Sequence, residues 1–315
     1  MYYPYFRGKQ YDLIAIRENA ELLAKSQFIP IIEPVKQTLN SLIRTIDTVR
    51  EKGGELIIIT NPVNGDHAED PDSINSLLLN DLKDYKNIHI GVLLTEKMTI
   101  SDAIGVYKPH DGRKIAFIHA GFSDAKLLDE HIRNINLNCM HVFIEAKCGK
   151  LYRRHLIGQP GVLLRDGFQK RANRAHPPME FFSDLHLIFK EEGMSGFGDF
   201  LIVGDEFSET GGPAYAVAIH ITFIKRDKDD EMHIHHFKSD RFDTPTDPAG
   251  KFAEALLKLT AEVGKPNTFI LKTKAIKELL KLHSEGHFPG LGYVKKLSMQ
   301  HHIETIADYL NAAKQ

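Results

Sequence analysis

The chain has 315 residues, 42% of them hydrophobic and 26% charged, with a formal net charge of -2 at pH 7. A balance so near neutral excludes a bulk polyanion binder, so any phosphate or nucleic-acid role has to rest on a local patch. Cys139 and Cys148 are too few for a disulfide framework or a cysteine-built zinc module and suit a reducing cytoplasm; the first residues lack the apolar core of a secretory signal, and no run approaches the roughly 18 apolar residues that would cross a membrane.

In chain order, short apolar runs alternate with stretches of helical periodicity. "YYPYF" precedes the helix pattern "YDLIAIRENAELLAKS". "FIPIIEPV" precedes "LNSLIRTIDTVREKG". "ELIIITNP" precedes "SINSLLLNDLKDY", and "IHIGVLLT" precedes the weaker "ISDAIGVYKPH". "KIAFIHAG" precedes "SDAKLLDEHIRNI", "MHVFIEA" leads into the short "GKLYRRHLIG", and "GVLLRDGF" leads through a loop into "PMEFFSDLHLIFKEEG". "FLIVGDEF" is the eighth run. Continuous Ile/Val/Leu runs of this length are what parallel strands covered on both faces require. The expected fold is therefore α/β, a (β/α)8 TIM-like barrel in a single domain over 1–315. A doubly wound open sheet is the alternative, weakened because no glycine fingerprint follows the first strand.

After the eighth run the pattern changes. "YAVAIHITFIKRDKDDEMHIHHF" predicts a late β-hairpin insertion over 215–240. "DPAGKFAEALLKLTAEVG" opens on an Asp-Pro helix start and is expected to be the eighth barrel helix. Amphipathic "TKAIKELLKLHSEG" and "QHHIETIADYLNAAK" form a C-terminal helical segment over 270–315.

The opening "YYPYFRGKQYDLIAIRE" followed by "IPIIEPV", together with the late "GDEFSETGGPAYAVAIHITFI", resembles the phage beta-protein family and its bacterial relatives. The resemblance brings no catalytic residue with it. It implies a role in defence against phage or mobile DNA and a protein partner, a nuclease encoded nearby.

In barrels the chemistry sits at the C-terminal ends of the strands. Those ends carry Arg7 and Lys9, Glu33, Asn61, His119, Glu145, Arg165 and Asp205. A carboxylate one step beyond a buried strand needs a cation or a metal. Glu33, Glu145 and Asp205 are thus the expected acid, base or metal ligands, with Arg7 and Arg165 as partners. Loop residues are polar anyway, so the same set also fits a rim salt-bridge network. If Arg7 pairs with Glu33 in the core, a binding role gains over a catalytic one.

The loop "LLRDGFQKRANRAHPP" carries four cations, Arg165, Lys170, Arg171 and Arg174. With Gly211 and Gly212 of the next loop, Arg171 and Arg174 are expected to hold phosphate through guanidinium forks and open backbone N–H groups. A solvated connector would read the same way. In the hairpin, His233 and His235 share a strand face, and His220 could lie across from them as a divalent-metal site. Nucleophile signals are poor. Cys148 has two lysines nearby, and Lys147 is better explained by pairing with Glu145 than by Schiff-base chemistry.

Two functions follow. One is a hydrolase or lyase acting on a phosphate-bearing substrate, nucleotide or nucleic acid. The other is a non-catalytic module that recognises a protein partner or a phage component.

Overall fold

The computed structural model describes residues 1–156, 158–209 and 211–312; the expected short helix over 149–158, the glycine loop and the C-terminal helix each extend onto residues outside this set. The strands are β1 (Tyr5–Phe6), β2 (Ile31–Ile32), β3 (Leu56–Ile59), β4 (Ile88–Thr95), β5 (Ile115–Ala120), β6 (Cys139–Ile144), β7 (Gly161–Leu164), β8 (Met179–Ser183), β9 (Gly196–Gly198), β10 (Ala218–Lys225) and β11 (Glu231–Lys238). The helices are α1 (Gln10–Glu18), α2 (Ala20–Ser26), α3 (Asn40–Glu51), α4 (Asp72–Ser76), α5 (Ile100–Tyr107), α6 (Ala125–Ile135), α7 (Lys150–Arg153), α8 (Leu185–Ile188), α9 (Pro248–Val263), α10 (Lys274–Glu285) and α11 (Leu291–Ala312). Among the described residues, no helix is long and apolar enough to cross a membrane.

Where one domain over 1–315 was expected, the contacts gather into two compact units, Met1–Asp166 with Ile188–Phe200, and Gly167–Leu187 with Leu201–Gln315. The first holds an eight-stranded parallel sheet in the order β1-β2-β3-β4-β5-β6-β7-β9. Its two ends meet: Tyr3 N–H donates to Phe197 O at 2.9 Å, Phe197 N–H to Met1 O at 3.0 Å, and Tyr5 N–H to Asp199 O at 2.9 Å. The sheet is barrel-like, and side chains at alternate positions, among them Tyr5, Ile31, Ile57, Ile118, Val142 and Val162, fill its interior.

The eighth strand is not the apolar run 200–207 but the glycine-flanked β9. The reason is steric. A Cβ on Gly198 would lie 2.0 Å from Tyr3 O and 2.5 Å from a Leu164 methyl. Only glycine lets the closing strand reach the N-terminal segment. The helix expected at 178–193 is also different: β8 occupies its first part, and only the short α8 follows. Phe181 is 44% exposed and Phe182 2%, the alternation of a half-buried strand.

The second unit is a three-stranded antiparallel sheet, β10-β11-β8, carrying α9, α10 and α11. The late hairpin is present as expected. Ile219, Ile221 and Phe237 of the sheet pack with Phe252 and Leu256 of α9 and Leu279 of α10. Helix α9 therefore covers the hairpin sheet instead of serving as the eighth barrel helix.

Replacing Gly198 by Ala is expected to destabilise the fold by about 1–3 kcal/mol through overpacking at the closure. Gly105→Ala, at an exposed helical site with no atom within 4 Å of the added Cβ, should instead be neutral or stabilising by up to about 1 kcal/mol. Urea denaturation of the two variants checks this, and equal stability would show that the glycine is not needed for closure.

Candidate functional site

In the first unit, Glu33 follows β2 and is 0% exposed. Its carboxylate accepts five hydrogen bonds: from the Arg7 guanidinium, Tyr5 Oη (2.9 Å), the Val63 and Asn64 backbone N–H groups (3.1 Å each) and Asn64 Nδ2 (3.0 Å). Arg7 also lies over the Tyr5 ring, 4.8 Å from its centroid. Glu33 and Arg7 come together as expected, but as a saturated buried pair. Arg165 grips Glu145 with both arms of its fork, Nε at 2.5 Å and an η nitrogen at 3.0 Å.

Other expected site residues are engaged in the scaffold. Asn61 behaves as a side-chain peptide, donating to Leu93 O at 2.9 Å and accepting from Leu93 N–H at 2.8 Å. Lys9 caps α1, its backbone N–H donating to Asp12 at 3.3 Å. His119 alternates with the interior Ile118 and so faces away from the sheet's interior. Its Nδ1 meets Tyr152 Oη at 2.7 Å, its Nε2 meets His141 Nδ1 at 2.9 Å, and its ring stacks on Phe143. Burial, then His141, holds its pKa well below the usual histidine value. Asp205 does not end the eighth strand; the acid in that position is Asp199, which accepts from Tyr2 Oη at 2.7 Å. Cys148 is buried, its thiol donates to His119 O at 3.2 Å, and burial raises its pKa, which suits an inert thiol.

The second unit gathers the cationic loop and the histidines. A cavity of about 410 Å³ is lined by Lys170, Arg171, Lys295, Gly211, Gly212 and His220, among others, and among the described residues no carboxylate lines it. A Cβ on either glycine would meet nothing within 4 Å, so their backbone is open to approach. Arg174, expected beside Arg171, is exposed and outside the lining. Arg171 donates to Glu180 at 3.0 Å, and Lys170 pairs with Glu206 at 3.0 Å.

The hairpin register pairs His220 with His236. Their Nδ1 atoms are 2.7 Å apart, and His236 Nε2 donates to Glu180 at 3.0 Å. His176 stacks on His236 at 4.3 Å between centroids. His220 thus joins His236 and His176, not His233 and His235. His233 pairs with Glu231 at 3.1 Å, and His235 stacks on Phe237. Neither ring nitrogen of His176 has a hydrogen-bond partner, although its side chain is only 1% exposed. A neutral imidazole must carry one N–H, and leaving it buried and unpaired costs about 1–3 kcal/mol. Burial lowers the pKa of all three histidines, His236 to about 4 and His220 well below its usual value.

Counting outward from the "RDKDDE" turn would have found the His220–His236 pair, because a hairpin's register follows from its turn. His176, Glu180 and Lys295 carry no comparable signal. No protein-family model matches the chain, and no curated protein matches it.

Arg7→Ala should cost about 3–5 kcal/mol in urea denaturation, because Glu33 is left as a buried charge. Adding Glu33→Gln should recover part of that loss, and additive losses would show that the pair is uncoupled. A second outcome concerns acid. Burial pushes His141 and His301 down to about 4. Below about pH 6.5 the unfolded chain binds protons there that the folded chain does not. Stability should therefore fall from about pH 6.5 toward pH 4, by roughly 1.4 kcal/mol per pH unit for each histidine, with no contribution from them above that window. Denaturation midpoints across this range test it, and a flat profile would reject it.

Proposed function

We propose that the protein is a recognition module for a phosphate-bearing ligand, a nucleotide or a nucleic-acid end, held in the cavity beside the loop after β7. The observation that carries this reading is a wall with Lys170, Arg171 and Lys295 and, among the described residues, no carboxylate. Phosphate oxygens need such donors, and the open backbone at Gly211 and Gly212 offers further N–H groups. Glu180 and Glu206 act from outside the lining, holding Arg171 and Lys170 in place.

Binding is favoured over hydrolysis or elimination through Glu33 and Glu145. A general base needs a free lone pair near its substrate. Glu33 already accepts five hydrogen bonds and has none, and Glu145 is held in an ion pair by both arms of Arg165, which stabilises its charged form and makes it a weaker base. The resemblance to the phage beta-protein family suggests the setting, recognition of phage or mobile nucleic acid beside a partner nuclease. The TIM-like form of the barrel belongs to the same proposal.

Titration of the wild type with ATP and with a short single-stranded oligonucleotide at two salt concentrations tests the reading. The double substitution Lys170→Ala and Lys295→Ala should weaken binding. It should also reduce the slope of log affinity against log salt by about 0.7 to 0.9 for each phosphate that is no longer neutralised. Arg174→Ala should leave both quantities unchanged. Folding stability should shift by no more than about 0.5 kcal/mol, since these are solvent-facing lysines. Unchanged affinity and slope in the double variant would make the loop a soluble connector. Turnover of the ligand that Glu33→Gln abolishes in a folded protein would restore the enzymatic alternative.

A further inference from the structure

We propose that His176, His220 and His236 bind a divalent transition-metal ion, zinc or a close relative, with one coordination position open to the adjoining cavity. The inference does not depend on the phosphate reading, since it rests on how the three rings dispose of their protons.

Among the described residues, these three form the one cluster of its kind, with a ligand atom from each within 4.8 Å of the others. The tautomers can be worked out. A carboxylate oxygen only accepts, so the 3.0 Å contact to Glu180 places the His236 proton on Nε2. His236 Nδ1 is then a lone pair. It points at His220 Nδ1, 2.7 Å away. Without an ion, His220 must donate this bond. With an ion, both Nδ1 lone pairs turn to the metal and the His220 proton moves to Nε2. Two imidazoles on one tetrahedral zinc have nitrogens about 3.3 Å apart, from metal–nitrogen bonds of about 2.0–2.1 Å. The pair therefore has to widen by about 0.6 Å from the 2.7 Å seen here.

His176 supplies the independent sign. Its side chain is 1% exposed, and neither ring nitrogen makes a hydrogen bond. An ion would take the lone pair of one nitrogen. Nδ1 lies 3.7 Å from Glu180 Oε1, so the other nitrogen has an acceptor within a small rotation.

Glu180 completes the arrangement. One oxygen accepts from His236 Nε2, and the other is held by Arg171 at 3.0 Å. A carboxylate behind a ligating histidine fixes its tautomer and raises its basicity. All-imidazole donors select zinc, copper, nickel or cobalt over magnesium or calcium. His220 is half-buried on the cavity wall, so the fourth position faces space for water or a ligand.

The test uses the full chain without a polyhistidine tag, stripped with a chelator and dialysed against Zn²⁺ or Co²⁺. An equimolar ion after dialysis is expected, and the Co²⁺ form should show visible ligand-field absorption of low-symmetry, nitrogen-rich coordination. His220→Gln and His236→Gln should lose ion and absorption, while His235→Gln, on the same strand but outside the cluster, should keep both. Glu180→Gln should weaken the ion by about 10–100-fold. If a histidine variant fails to fold by circular dichroism, wild-type stoichiometry and the Glu180→Gln titration decide. No stoichiometric uptake by the wild type overturns the proposal, as does uptake that every folded variant retains.

Discussion

Hydrogen bonding between residues 1–5 and 197–199 is the constraint on which the first unit rests. A parallel sheet left open would expose two edges of unpaired backbone groups, and closure removes both. Its ladders near the seam are short, since β1 and β2 have two residues each. Side chains reinforce them. Tyr2 packs edge-on against Phe28 and tilted against Phe197, and its hydroxyl reaches Asp199. Because all eight strands run the same way, closure also brings their C-terminal ends to one rim. The Arg7–Glu33 and Arg165–Glu145 pairs follow strands at that rim.

Hydrogen-bond satisfaction separates scaffold from site. Glu33 is as deeply buried as any group among the described residues, yet it accepts from Tyr5 of β1, from Arg7 just beyond it and from the loop after β3. A group so fully bonded stabilises one backbone arrangement and has no remaining capacity for a substrate proton. His176 is the opposite case. Its burial is similar, but neither ring nitrogen makes a hydrogen bond, although Glu180 Oε1 lies 3.7 Å from Nδ1. Native structures seldom carry such a group without a reason, and an ion is one of the recognised reasons.

Much of the first unit was legible because its signal is local. Seven of the eight runs fall on sheet strands, since buried parallel strands need unbroken aliphatic sequence. The eighth was not, because closure selects for closeness of backbone, and "GFG" carries no aliphatic signature. The stretch 178–193 reads as helix because Phe181, Phe182, Leu185, Leu187 and Ile188 satisfy a helical period, while β11 supplies a strand partner from about fifty residues away. The paired carboxylates were legible as charges that needed partners. The histidine cluster was legible only in part. His220 stands out in the hairpin, but its true partner depends on hairpin register, and His176 reaches the cluster from a loop whose path no periodicity encodes.

The proposed ion and the proposed phosphate would place opposite demands on neighbouring residues, and Glu180 stands between them. Three neutral imidazoles would leave the full double charge of an ion uncompensated by its own ligands. Arg171 and Lys238 bear on His176, and Lys295 bears on His220; each further cation opposes the ion. Glu180 lies between the two sets, hydrogen-bonded to His236 on one side and to Arg171 on the other. Its negative charge lowers the cost of bringing an ion to the rings and keeps the guanidinium from competing for that place. Under the two proposals the wall offers Lys170, Arg171 and Lys295 together with the ion's open position, a donor set that suits an anion with oxygens to spare. A phosphate could fill the ion's open position and the lysine and arginine donors together. On the two proposals taken together, the ion and the anion would support each other, each reducing the charge that the other finds unfavourable.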